Sequence, residues 1–234
     1  EDAAKVVAAR SDLVRRLSGK GGMAVVELPV EKVTERIAEF KGALSIAVVN
    51  TATSTVVSGD TAAIERLLQI LEGEEIYARR VNVDYASHSV HVDAILPDLK
   101  KRLGSIRALD TSLDFYSTVL GKKVQGTFLG ADYWCRNLRE PVRLDHALDA
   151  LMGDGYGVFV EASAHPVLAM PLTTACAERG VVVGSLRRDE GSLSLIYQTL
   201  GLLHSHGYEV DWTPHLPQRS QHPVGLPTYA FQRE

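Results

Sequence analysis

Cysteine is nearly absent: Cys135 and Cys176, in WCRN and TACAE, are the two thiols among 234 residues. Their spacing resembles neither a secreted disulfide framework nor a zinc knuckle, so reduced thiols in the cytosol are expected. An excess of one charge is lacking as well. The 25 basic and 29 acidic residues are interspersed and leave a net charge of -4. No basic stripe tracks a phosphate backbone, so no nucleic-acid partner is expected. Long apolar runs are missing too. The nearest, LSLIYQTLGLL, is too short to span a bilayer and is broken by Tyr197, Gln198 and Thr199. No signal peptide is expected from the opening residues, and no internal repeat or low-complexity tract is read along the chain. The opening EDAAKVVAARSDLVRRL has no initiator methionine and is already in helical rhythm, as expected of a fragment or processed chain. A soluble, cytoplasmic protein is the expectation. A chain of this length buries about 70% of its extended surface, enough for a core without metal or disulfide.

What is present is a regular alternation. Val6, Val7, Leu13, Val14 and Leu17 predict one apolar helix face, stopped by GKGG. From Gly22 to Val83 the strands GMAVVEL, LSIAVVN, STVVSG and IYARRVNV interleave with the helices PVEKVTERIAEF and TAAIERLLQILEG. Asp60 stands before the second helix as its expected N-cap. The order β-α-β-β-α-β predicts a ferredoxin-like unit. Beyond it, HVDAILPDLKKRL reads as a helix whose Pro97 sits in the first turn or kinks it. LDFYSTV reads as a strand, and Glu140-Pro141 as a surface turn before a further helix. GVFVEAS and VVVGSL read as buried strands, the first inside a parallel sheet covered on both faces. A last helix follows Arg187. The tail DWTPHLPQRSQHPVGLPTYAFQRE is expected to lie extended over a surface, held by Trp212, Tyr229 and Phe231. The expected division is 1–20, 21–84, 85–186 and 187–234.

His88, in VDYASHSVH, is read as standing at the end of the strand before it. It has three readings. It is a capping or core-edge histidine, a metal ligand with His91 and Asp84, or a general base. No third metal ligand is well placed, and the metal reading is the weakest. A general base needs a nucleophile in reach and a group that fixes its ring tautomer. The ordinary imidazole pKa, near 6.5, suits proton transfer at neutral pH.

VDYASHS, GGMAVVEL, AVVNTATSTVVSG, YWCRNLREPVRL, FVEASAHPVL and LPTYAFQRE together resemble the acyltransferase domain of modular polyketide synthases and related multifunctional fatty-acid synthases. The likeness covers nearly the whole chain in the family's order. It implies an α/β fold: an α/β-hydrolase-like body of malonyl transferase type with an inserted ferredoxin-like subdomain, followed by a linker toward a ketosynthase. It implies a serine-histidine dyad whose histidine ends the YASH tetrapeptide, here His88. The family's serine lies in a G-H-S-x-G elbow, and no G-x-S-x-G occurs in this sequence. The N-terminal part of the body, with its nucleophile, is therefore expected outside this chain.

The same resemblance implies the other site residues. Arg10 corresponds to the arginine that grips the free carboxylate of malonyl-type groups, a task suited to a planar, permanently charged fork of donors. Asn50, at a strand end, corresponds to a substrate-proximal position. His165 is expected to shape the site or to supply the backbone carbonyl that orients His88. Ser87 shapes the site without serving as nucleophile. YASH resembles the methylmalonyl type and HAFH the malonyl type. Tyr85 is expected to carry specificity, and Ala86 to be the small residue that leaves room for the 2-methyl branch. The implied substrate is methylmalonyl-CoA or malonyl-CoA. The implied acceptor is the phosphopantetheine of an acyl carrier protein, with no metal and no cofactor of the chain's own. The alternative is a non-catalytic structural or docking fragment of a synthase. His91, His146, His204, His206, His215 and His222 read as surface or packing residues.

Overall fold

The computed structural model describes residues 1–177, 180–216 and 225. Most of the proline-rich tail, with Tyr229 and Phe231, lies outside them. Helix α1 (Asp2–Val14) runs on through a 3-10 turn to Leu17. Val6, Leu13 and Leu17 are buried, but Val7 is 63% exposed, against the expectation that it shares their face. A helical step of about 100° places Val6, Arg10, Leu13 and Leu17 on one narrow stripe and carries Val7 off it. Arg10 thus stands inside the buried stripe of α1.

The expected split unit follows as β1 (Gly22–Val26), α2 (Val30–Ile37), β2 (Leu44–Thr51), β3 (Ser54–Gly59), α3 (Thr61–Gly73) and β4 (Ala78–Arg80). Its strands lie in the order β4-β1-β3-β2, each antiparallel to its neighbour. The two strands read as LSIAVVN and STVVSG pair from Leu44↔Gly59 to Thr51↔Ser54. Alternation sorts the side chains. Ala24, Val26 and Val57 face α2 and α3, and pack with Val33, Ile64, Leu67 and Leu71. Met23, Ala47 and Val56 cluster apart from them.

The fourth strand is shorter than IYARRVNV suggests. Val81 still donates to the Met23 carbonyl at 2.8 Å, but the Val83 amide turns back onto the Val81 carbonyl at 2.8 Å and ends the ladder. His88 is therefore reached by a bending segment and not at the end of a strand. A 3-10 stretch, Val90–Ile95, then leads into α4 (Leu96–Leu103), with Pro97 in its first turn. The expected strand LDFYSTV becomes a hairpin, β5 (Phe115–Ser117) and β6 (Lys122–Val124), turning at Gly121 with φ 62°.

Helix α5 (Ala131–Arg139) packs with α1 and α4 around Leu13, Leu99, Leu103 and Leu138. Past Glu140-Pro141, β7 (Val142–Arg143) joins the edge of β2 in parallel, through Val48↔Val142 and Val49↔Arg143. The sheet of the small unit thus runs on into the body. α6 (Leu144–Gly153), β8 (Val158–Glu161), α7 (Ala169–Cys176), β9 (Val181–Gly184) and α8 (Leu193–Ser205) complete the described chain. β8 and β9 pair in parallel as expected. Their expected cover on both faces is not met: Val160 is 55% exposed, and no other strand joins the pair among the described residues. Trp212 packs edge-on against His204 beside α8.

Candidate active site

The small unit leaves and rejoins the body at one place. Ser18 Oγ donates to the Asp84 carboxylate, and the Gly19 amide donates to the Asp84 carbonyl at 2.8 Å. Gly21 lies so close to the returning chain that a Cβ on it would stand 2.8 Å from Ala86 Cβ. This clasp sets the segment 85–88 beside the C-terminal end of α1, and so brings Tyr85 and His88 near Arg10.

His88 occupies the left-handed region at φ 58°, an uncommon place for a non-glycine residue. Two contacts from the end of α5 hold it there. Its amide donates to the Leu138 carbonyl at 3.1 Å, and its ring Nδ1 lies 2.8 Å from the Glu140 carbonyl. A carbonyl only accepts, so Nδ1 carries the proton and Nε2 is left with its lone pair, the tautomer of a general base. Burial pushes the His88 pKa down to about 4; the Glu140 carbonyl opposes this and the Arg10 charge adds to it. The ring is neutral at pH 7.

The Glu140 carbonyl is aimed by its own neighbours. The last carbonyls of a helix have no partner within it, and two at the end of α5, those of Leu138 and Glu140, go to His88. Pro141 confines the residue before it to extended backbone, and Glu140 has φ -82° and ψ 156°. The Arg136 guanidinium also grips the Glu140 carboxylate with a fork of 2.6 and 3.0 Å.

Arg10 differs from the other half-buried arginines. Arg36, Arg139 and Arg143 each pair with a carboxylate, of Glu74, Asp93 and Asp145. Arg10 Nη1 instead donates to the neutral side chain of Asn137, Oδ1 at 3.1 Å, and forms no salt bridge among the described residues. Burial lowers its pKa from the ordinary guanidinium value, yet a guanidinium stays charged at pH 7. A cation withdrawn from water without an anion is costly, and the arrangement suits an anionic ligand.

Several expected residues stand elsewhere. The carbonyl that orients His88 belongs to Glu140 and not to His165, whose own carbonyl accepts from Ser163 Oγ at 2.8 Å in an exposed loop. Ala86 is fully buried against Gly21 and lines no open space, so it leaves no room for a methyl branch. Matched letter by letter, YASH and HAFH share their alanine and differ at the positions of Tyr85 and Ser87. Ser87 is buried, its Oγ 3.4 Å from Met23 Sδ. Ser89 is the cap of the next 3-10 turn; its Oγ donates to the Ala86 carbonyl at 2.8 Å and accepts from the His91 amide at 3.2 Å. Asn50 sits in β2 next to Val49, which pairs with Arg143, and has no hydrogen bond to His88 or Arg10.

Asp60 stands at the N-cap position of α3, but its carboxylate caps nothing and meets His91 Nε2 at 2.7 Å. His91 is thus engaged by Asp60. Among the described residues no group of three His, Cys, Asp or Glu side chains could hold a metal ion. No helix of the described residues is long and apolar enough to cross a membrane. Sequence reasoning missed Asn137 and Glu140. The cue was the helix-ending RNLREP, where a proline fixes the carbonyl just before it.

Comparison with known proteins converges on one family. The Acyl transferase domain family matches residues 1–210. Polyketide synthase GfsB of Streptomyces halstedii is 47% identical over 238 residues, and erythronolide synthase EryA2 of Saccharopolyspora erythraea is 42% identical over 239. Each covers 100% of this chain, which spans 4% and 7% of their lengths. The crystal structure of the acyltransferase domain from module 8 of the salinomycin polyketide synthase superimposes with a TM-score of 0.87 at 43% identity. That likeness covers 90% of this chain and 51% of the other. Shared α/β fold, sequence and order of elements leave one conclusion: this chain belongs to the acyl transferase domain family, in the form found in polyketide synthases.

Proposed function

We propose that these residues form the base-and-acid-binding half of a domain that loads a malonyl-type unit from coenzyme A onto an acyl carrier protein. One juxtaposition carries the reading. A buried histidine held in its base tautomer lies near a half-buried arginine that no carboxylate pairs. The family's G-x-S-x-G elbow does not occur in this sequence. The attacking serine therefore comes from residues outside these 234, which also complete an α/β-hydrolase-like body around β8 and β9. The small ferredoxin-like subdomain spans 21–84, inserted between 1–20 and 85–186, and 187–234 forms the last helix and linker.

Arg10 takes the free carboxylate of the substrate, which sets the thioester carbonyl before the serine. His88 Nε2 accepts the hydroxyl proton as the serine oxygen bonds to the carbonyl carbon. Collapse of the tetrahedral intermediate breaks the C–S bond, and the Nε2 proton leaves with the coenzyme A thiolate. The pantetheine thiol of the carrier protein then repeats the sequence against the acyl-serine: His88 takes the thiol proton and returns it to the serine oxygen. The adjacent ketosynthase is the second partner. Tyr85 and Ser87 mark the methylmalonyl type, while Asn50 and His165 shape the surroundings.

The test is His88→Ala in the complete domain. Acylation should fall roughly 10²–10⁴-fold, the usual worth of a positioned proton-transfer group. His91→Ala should leave it near normal, and a chelator should have no effect. Near-normal acylation by a folded His88→Ala protein would sink the reading.

A further inference from the structure

We propose that Asn137 is the positioning residue for the Arg10 guanidinium, a neutral acceptor that orients the fork without neutralising its charge. The inference rests on the reading of Arg10 as the carboxylate grip. A guanidinium only donates, so the Oδ1 end of the Asn137 amide faces Arg10, at 3.1 Å. Behind it, the Tyr133 hydroxyl stands beside the Asn137 amide. That hydroxyl meets Ser117 Oγ at 2.9 Å, and Ser117 Oγ accepts the amides of Val119 and Leu120 at 3.2 Å each. Ser117 is fully buried and Tyr133 nearly so, which gives the amide a rigid backing from the end of β5.

The choice of amide over carboxylate is the telling feature. Within one turn on the same helix, Arg136 and Arg139 are both neutralised by acids, Glu140 and Asp93. Aspartate at 137 would reach Arg10 just as well, but it would occupy the charge that an incoming carboxylate needs. Asn137 also sits on the helix end whose Leu138 and Glu140 carbonyls hold His88. The acid grip and the base are thereby hung on one rigid element, which keeps constant the span between a substrate's carboxylate and its reacting carbon.

The experiment uses the complete domain with Arg10→Ala, Asn137→Ala and Asn137→Asp. It measures kcat/KM for methylmalonyl-CoA and for propionyl-CoA, with thermal midpoints alongside. Arg10→Ala should collapse the methylmalonyl-to-propionyl ratio. Asn137→Ala should lower it about tenfold, through KM, the order expected when one hydrogen bond to a charged group is lost. Asn137→Asp, nearly isosteric, should lower it further while folding normally, because it leaves an ion pair where a free cation stood. If Arg10→Ala collapses the ratio and both Asn137 variants leave it within about twofold, the proposal is wrong and the Arg10 reading survives. If Arg10→Ala leaves the ratio unchanged, both fall. If Asn137→Ala does not fold, Asn137→Asp alone decides.

Discussion

His88 sets how the molecule responds to pH. Its pKa lies at about 4 in the folded chain, lowered chiefly by burial, against an ordinary value near 6.5. Below pH 6.5 the unfolded chain takes up a proton that the folded chain refuses until about pH 4. The folded state is therefore undiminished above pH 6.5 and loses stability as the pH falls through that window. At about 1.4 kcal/mol per pKa unit the loss is roughly 2–3 kcal/mol by pH 4.5. Urea denaturation of wild type and His88→Gln at pH 7.5 and pH 4.5 should show the wild type losing that much more than the variant. Equal losses would mean that the ring is not held neutral. Arg10 makes a second, kinetic prediction, because its charge is among the causes that lower His88. A substrate carboxylate neutralises that charge, so the acid limb of kcat should lie at higher pH than the acid limb of kcat/KM for methylmalonyl-CoA. With propionyl-CoA the two limbs should stay together. Coincident limbs for both substrates would uncouple the acid grip from the base.

The clasp between Gly21 and Ala86 is where one element decides the placing of another. Gly21→Ala would set a Cβ 2.8 Å from Ala86 Cβ and 3.0 Å from the Gly59 carbonyl, with backbone on the second side unable to yield cheaply. Overpacking of this kind costs about 1–3 kcal/mol. The displaced segment, 85–88, carries His88, so acylation by the complete domain should fall as well. Adding Ala86→Gly should recover part of both losses, a coupling that a double-mutant cycle measures. Strictly additive losses would show that the two residues do not bear on each other. At this scale the sequence was legible wherever a regular period met a turn. The six elements from Gly22 to Val83 follow from alternating and helical patterns. IYARRVNV looks strand-forming to its end because of Val81 and Val83, while the turn that ends β4 is a backbone contact between them. The buried look of GVFVEAS reflected composition, which does not say which strands lie alongside.

Across the whole molecule, the legible part of the site was the part written in side chains close to a pattern. Arg10 and His88 stood out through the family resemblance, His88 by the YASH motif. What fixes them was not legible, because it spans long separations and uses main-chain atoms. Asn137 is 127 positions from Arg10, and Glu140 is 52 from His88 and acts through its carbonyl. No residue-type pattern announces such a contact. The same distinction bears on what these residues can do by themselves. A base and a cation polarise and bind, but acyl transfer through an acyl-enzyme also needs a nucleophile at the base. Here Ser87 is turned toward Met23 and Ser89 is engaged as a cap. Residues 1–234, incubated with labelled methylmalonyl-CoA, should therefore show no covalent adduct by intact-mass spectrometry. The complete domain under the same conditions should show one acyl group per chain, which His88→Ala suppresses. Titration separates binding from chemistry. Any weak binding of methylmalonate to residues 1–234 should be lost in Arg10→Ala and insensitive to His88→Ala. A stoichiometric adduct on the 234-residue chain would place the nucleophile among its own side chains and overturn the division of labour argued above.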